Sequence, residues 1–251
     1  MVDRVRRIDY IWGWRCCLGF ICPSLYGSAP HRGVYEVAPE GVEILAASLG
    51  INVVSEDNIE KVLTHVDNAA RQLTEGGADF IHLTGPFGIY GGIERDKEFK
   101  KRLEKLTRLP VSLLFMDYIE ALHTLSVKKI VHVYPGFPKG NYENLCKKLY
   151  EDNGFEMINI KGSDIQTNAQ VRKLPMSVPY HLARQAYLET PQADAIFIDC
   201  GAWGGPPLVE CLEQDFGKPV LGTSSIFLWA GLRALKIKAP VKGFGRLFET
   251  L

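Results

Sequence analysis

Chemistry in this chain turns on two positions that occupy matching places in two similar stretches of sequence. One stretch is Ala78-Asp79-Phe80-Ile81-His82-Leu83-Thr84-Gly85 and the other is Ala193-Asp194-Ala195-Ile196-Phe197-Ile198-Asp199-Cys200. Each opens on Ala-Asp, runs through apolar residues of strand length and ends in a glycine-rich turn, so Gly85 stands opposite Cys200. If the two halves face each other across a cleft, one wall carries a thiol and the other bare backbone, which allows acid–base chemistry with a single sulfur-borne proton. Cys200 precedes Gly201-Ala202-Trp203-Gly204-Gly205-Pro206-Pro207, a loop leading into a helix. Backbone N–H groups and a helix N-terminus there lower a thiol pKa and bind anions. A buried cysteine acting as a small apolar residue is the competing reading, and position alone leaves both open.

Other candidates are weaker. Gly85-Pro86-Phe87-Gly88 is glycine-rich, but Pro86 removes a backbone donor and no Gly-x-Gly-x-x-Gly or Lys-Ser/Thr pattern completes a nucleotide cradle. A backbone-lined pocket wall and a plain tight turn both explain it. Thr223-Ser224-Ser225 offers hydroxyls at a helix opening, for capping or for a substrate carboxylate, and Tyr134 ends a strand where its phenol could reach the same oxygens. Cys22 also ends a strand, but Pro23 follows and the repeat holds no counterpart, so packing explains it more simply. Cys16, Cys17, Cys146 and Cys211 are assigned to the core, and His82 and His132 to core positions inside strands. No Ser-His-Asp order and no His-Glu-x-x-His spacing appears.

The elements that must position these groups follow an alternation of apolar strands and helical periods, the pattern of parallel strands with crossover helices. Strands are expected at 15–21, 41–47 with 51–54, 78–83, 110–115, 129–133, 155–160, 195–198 and 218–221, with a closing strand at 241–244. Helices are expected from Ile59 to about Gly76, whose start is marked by Ser55, and at 94–106, 116–125, 142–151, 179–188, 208–215 and 226–235. The order strand, active loop, helix, strand, helix occurs twice, and Leu109-Pro110-Val111 matches Lys218-Pro219-Val220. The expected fold class is α/β, with two similar lobes rather than one continuous sheet. Working residues in such sheets lie at the carboxyl ends of the strands, where Gly85 and Cys200 both fall.

The chain has 251 residues, 46% of them hydrophobic, enough for a sizeable core. Lys plus Arg and Asp plus Glu each number 29, so no net charge draws it to nucleic acid or an anionic membrane. The apolar run 16–22 is too short to span a bilayer and no cleavage site follows, which gives the expectation of a soluble, cytoplasmic protein. Six unevenly spaced cysteines suggest neither a disulfide framework nor a zinc site, so no metal is expected.

Taken together, Cys200-Gly201, the stretch from Leu212 through Val220, and Trp229-Ala230-Gly231-Leu232-Arg233 resemble the aspartate/glutamate racemase superfamily. The branch most like this chain is that of arylmalonate decarboxylase and maleate cis-trans isomerase. Gly19-Phe20-Ile21-Cys22-Pro23, Ala38-Pro39-Glu40-Gly41 and Tyr90-Gly91-Gly92 share the likeness, which runs from about Leu18 to Ile237. The resemblance implies two pseudo-twofold lobes, each with a parallel four-stranded sheet flanked by helices, and an active site in the cleft between them. Residues 1–115 plus 223–251 would form the N-terminal lobe and 116–222 the C-terminal lobe. Racemases and the isomerase of this superfamily use two cysteines, whereas the decarboxylase keeps the second and has glycine at the first; Gly85 with Cys200 fits the latter. The implied activity is cofactor-independent decarboxylation of a substituted malonate or similar acid through an enolate protonated by Cys200. A racemase or cis-trans isomerase, and a non-catalytic carboxylate-binding protein, are the alternatives. Gly85, Pro86, Phe87, Gly201, Tyr134, Cys22, Pro23, Thr84 and Ser224 would contact the small carboxylate substrate. The decarboxylase carries Thr-Ser hydroxyls directly after its glycine where this chain has Pro86-Phe87, so half of the implied oxyanion hole is missing or replaced, with Thr84, Ser224 and Tyr134 as the candidate donors.

Overall fold

Burial is nearly continuous along every central strand, because both faces of each sheet are covered. In a computed structural model describing residues 13–24, 33–53, 55–136, 141–203 and 205–251, the strands are β1 (Cys16–Ser24), β2 (Val42–Ile51), β3 (Phe80–Leu83), β4 (Val111–Leu113), β5 (Lys129–Tyr134), β6 (Glu156–Gly162), β7 (Ala195–Ile198) and β8 (Val220–Gly222). They form two parallel four-stranded sheets with orders β2-β1-β3-β4 and β6-β5-β7-β8. The matching order is the physical form of the sequence repeat. Leu18, Phe20, Phe80, Ile130 and Phe197 point to a shared central core. The alternate residues Ile21, Ile81 and Leu83 face an outer core of the first lobe, and Val131, Val133, Ile196 and Ile198 face that of the second.

Helices α1 (Glu56–Glu75) and α2 (Phe87–Thr107) cover the outer face of the first sheet, and α6 (Ser177–Glu189) and α7 (Pro206–Phe216) that of the second. Ser55 caps α1 through its side chain, which accepts from the Asn58 N–H. Between β4 and β5 lies α3 (Leu114–Thr124), whose Tyr118 stacks on Phe197 of the second sheet at 3.9 Å. The short helix α5 (Asn168–Val171) sits between β6 and α6, and α4 (Tyr142–Asp152) follows β5. After β8, α8 (Thr223–Ala234) returns to the first sheet, where Gly231 lies so close to Leu18 that a Cβ would stand 2.8 Å from its side chain. Each sheet thus receives on its inner face the helix that follows the other sheet's last strand.

Several expectations are corrected. The second strand is one ten-residue strand, not two short pieces, because its backbone pairs with β1 from Val42 to Ile51, across a register shift near the end. Helix α2 starts at Phe87, directly after the Gly85 loop, and bends at Gly92, whose φ of 75° only glycine adopts freely. Residues 241–244 form no strand; Phe244 is buried as part of an irregular segment before a final 3₁₀ turn, Arg246–Thr250. Cys211 is exposed on α7, whereas Cys16, Cys17 and Cys146 are buried. Val54, Pro138 and Gly204, read as a strand end and loop positions, lie outside the described residues. Among the described residues no helix is long and apolar enough to cross a membrane.

Candidate active site

The carboxyl ends of β1, β3, β5, β7 and β8 converge on one cleft between the lobes, with a volume of about 660 Å³ counted out to its open mouth. Cys22 and Pro23 enter from β1, Thr84, Gly85 and Pro86 from β3, Cys200 and Gly201 from β7, and Thr223 from the start of α8. Pro23 falls where the β1–β2 register shifts, the irregularity turning the strand end into the cleft wall. Gly85 has a φ of 115°, and a Cβ there would lie 2.7 Å from the Pro23 ring, so both backbone shape and neighbour exclude a side chain.

Cys200 is half-buried. Burial pushes its thiol up to about 12, against the pull of the Ala202 and Trp203 N–H groups, while nearby Asp199 and Cys22 add to the rise. At neutral pH the sulfur therefore carries its proton. Cys22, on the opposite lobe, is pushed up to about 11, also by burial.

Two hydroxyls on the walls are orphaned. Thr84 Oγ1 and Thr223 Oγ1 belong to residues only 5% and 4% exposed, and neither finds a hydrogen-bond partner among the described residues. Buried hydroxyls left so are costly unless something in the cleft takes them up. Helices α2 and α8 also begin at the cleft, presenting backbone N–H groups and the positive ends of their dipoles.

The structure brings Cys200, Gly201, Cys22, Pro23, Thr84, Gly85 and Pro86 together. It places three other sequence candidates elsewhere. Phe87 is buried in the outer core of the first lobe. Tyr134 donates its phenol to Glu143 Oε1 at 2.9 Å, and Ser224 Oγ donates to the Gly201 carbonyl at 3.3 Å, outside the cleft lining. His82 and His132 are fully buried, bonded through Nδ1 to Ser112 Oγ at 2.9 Å and to Tyr150 Oη at 2.8 Å.

Three polar cleft residues escaped the sequence reading as individuals, Asp199, Tyr142 and Asn168, and Thr223 stood in it as one of three adjacent hydroxyls. Tyr142 donates its phenol to Asp199 Oδ2, and His132 Nε2 lies 3.6 Å from the same oxygen. Burial raises the Tyr142 phenol well above its ordinary value, with Asp199 contributing, so it stays a donor. Asn168 arrives from α5 and ties the lobes, its Nδ2 donating to Ile51 O at 3.2 Å and its N–H to Asn52 O at 3.1 Å. The signal for Asp199 was strand parity: it adjoins Cys200 yet points to the opposite side, and Thr223 is signalled by being the first helical residue after β8.

Comparison with known proteins accords with this arrangement. A family model described as arylmalonate decarboxylase matches residues 18–248. Arylmalonate decarboxylase of Bordetella bronchiseptica is 24% identical over 238 residues, covering 92% of this chain and 96% of that protein. Maleate isomerase of Nocardia farcinica is 29% identical over 132 residues, 52% of this chain and 51% of its own. Among solved structures, unliganded arylmalonate decarboxylase superposes with a TM-score of 0.79 at 20% identity, covering 94% of this chain and all of that one. The maleate isomerase of Pseudomonas putida S16 gives 0.82 at 20% identity over 93% and 98%. Those superpositions establish the two-lobed fold, and the family match over most of the chain establishes more: the protein belongs to the arylmalonate decarboxylase family, in the decarboxylase and maleate isomerase branch of the aspartate/glutamate racemase superfamily, whose enzymes act on small carboxylic acids.

Proposed function

We propose that this protein is a cofactor-independent decarboxylase of a substituted malonate or similar small carboxylic acid, with Cys200 as the proton donor. The observation that carries the reading is one thiol, Cys200, lining a cleft whose other wall at Gly85 leaves no room for a partner side chain. Burial raises that thiol to about 12, which suits a group that starts the reaction loaded with a proton and delivers it to a carbanion.

In the proposed sequence the retained carboxylate accepts hydrogen bonds from Thr84 Oγ1 and Thr223 Oγ1 and faces the N-termini of α2 and α8. The second carboxylate lies against apolar wall, where its desolvation is relieved by leaving. The bond from the α-carbon to that carboxylate breaks, its electron pair passes into the enediolate of the retained group, and CO₂ departs. The Cys200 proton then moves to the α-carbon, and water reprotonates the thiolate. One thiol on one wall delivers the proton to one face.

Phenylmalonate and aminomalonate are the first probes. Release of CO₂ with incorporation of one solvent deuterium supports the proposal, and Cys200→Ala is expected to lower kcat by 10²–10⁴ fold with the fold intact. Full activity of that variant refutes it. Cys22 favours a second reading, because it brings another thiol to the same cleft. If the enzyme is a racemase or cis-trans isomerase, deuterium enters substrate without CO₂ loss, and Cys22→Ser abolishes turnover as fully as Cys200→Ala.

A further inference from the structure

We infer that the acid bound in this cleft also carries a protonated amine, which Asp199 receives. The inference rests on the cleft being the substrate site, and concerns which acids it admits. Among the described residues Asp199 is the only charged side chain lining the cleft, and no lysine, arginine or histidine joins it. Its side chain is 13% exposed, so its charge is felt in a poorly screened space. Tyr142 occupies Oδ2, while Oδ1 takes no hydrogen bond from any described residue and is left for a ligand.

The charge balance follows directly. A malonate dianion with an uncharged substituent would place three negative charges in one apolar cleft, where the described lining offers hydroxyls and helix termini, with the His132 ring 3.6 Å behind Asp199 Oδ2. The Asp199 carboxylate therefore favours an acid of lower net negative charge over such a dianion. An acid bearing an ammonium group reverses the sign of the Asp199 contact. Its carboxylate lies at the Thr84 and Thr223 hydroxyls, its ammonium donates to Asp199 Oδ1, and the third direction faces Cys200. The cleft therefore separates ligand charge, with the acceptor for a cation beside Cys200 and the donors for an anion at Thr84 and Thr223.

Binding of isosteric pairs tests this. Aminomalonate against methylmalonate, and phenylglycine against 2-phenylpropionate, each exchange an ammonium for a methyl group at nearly constant shape. Calorimetry on the Cys200→Ala variant excludes turnover, so the ranking reports on Asp199 even if decarboxylation is not the reaction. In both wild type and Cys200→Ala, the amine-bearing member of at least one pair is expected to bind ten-fold or more tightly than its methyl counterpart. Asp199→Asn is expected to erase that preference or reverse it. Equal affinities within both pairs, tighter binding of the methyl compounds, no saturable binding of either amine, or a preference that survives Asp199→Asn would each overturn the inference. Should Asp199→Asn fail to fold, the wild-type ranking decides alone. Absence of CO₂ release from any probe, with the amine preference intact, would sink the decarboxylase reading and leave this one standing.

Discussion

At the Cys200 sulfur, burial outweighs the two backbone donors that would favour a thiolate, and this sets an order of reactivity among the cysteines. Cys211 is exposed and is expected to be alkylated by iodoacetate first at pH 7.5. Cys200 should label slowly there, and faster as pH climbs toward about 12. Peptide mass mapping over time checks the order, and rapid neutral-pH labelling of Cys200 would contradict it. A second group with a strong environmental shift is Asp96, 1% exposed on α2, where burial raises its carboxyl to about 7, partly against Arg95 and with Asp117 adding to the rise. Because the folded pKa lies above the unfolded one, the folded state holds the proton more tightly; that advantage is present at low pH and is lost as pH rises through about 7. Asp96→Asn is accordingly expected to raise the thermal midpoint more at pH 8 than at pH 5, measured by calorimetry. Cys200 and Gly85 were legible because each closes an apolar run, a local signal. Asp199 was hidden by its neighbour, and Asn168 reaches the cleft only through a fold-level approach to Ile51 and Asn52 that no spacing along the chain encodes.

Strands and helices explain why the glycine loop is bare. The chain leaves β3 at Leu83, passes Gly85 with its φ of 115° and enters α2 at Phe87, leaving three residues, Thr84, Gly85 and Pro86, to make the turn beside Pro23. Gly85→Ala adds backbone strain and a clash with a ring that cannot swing away, so a loss of about 1–3 kcal/mol is expected in urea denaturation. Displaced Pro23 should lower kcat/KM as well, and a variant as stable and active as wild type would show the wall to be softer than described. Most elements were readable because hydrophobic period separates two-residue from 3.6-residue repeats. The misreadings have physical causes. Gly88, Gly91 and Gly92 masked the first turns of α2, since glycine argues against a helix interior until packing overrides it. The apolar residues at 241–244 mimic a strand, but Phe244 is buried against the central core without a ladder partner.

Considered whole, the molecule exchanges helices between its halves. Tyr118 of α3 stacks on Phe197 in the second sheet and Gly231 of α8 seats on Leu18 in the first, so neither sheet completes its inner face with sequence from its own half. Unfolding should therefore be one cooperative transition: Trp203, in the second lobe's outer core, and Trp229, on α8, are expected to report coincident urea midpoints in variants retaining one tryptophan at a time. Tyr118→Ala, which opens a cavity under a stacked ring, should lower both midpoints together at a cost of about 3–5 kcal/mol. The duplication was visible along the chain, whereas the exchange was not, because helix amphipathicity identifies an apolar stripe without naming the sheet that covers it. Asn168 adds something of a different kind. Its two hydrogen bonds to Ile51 and Asn52 fasten the lobes to each other at the cleft wall, like a clasp. Because those bonds cross between the lobes at the cleft wall, Asn168→Ala, which removes the side-chain one, is expected to quicken ligand escape in stopped-flow traces.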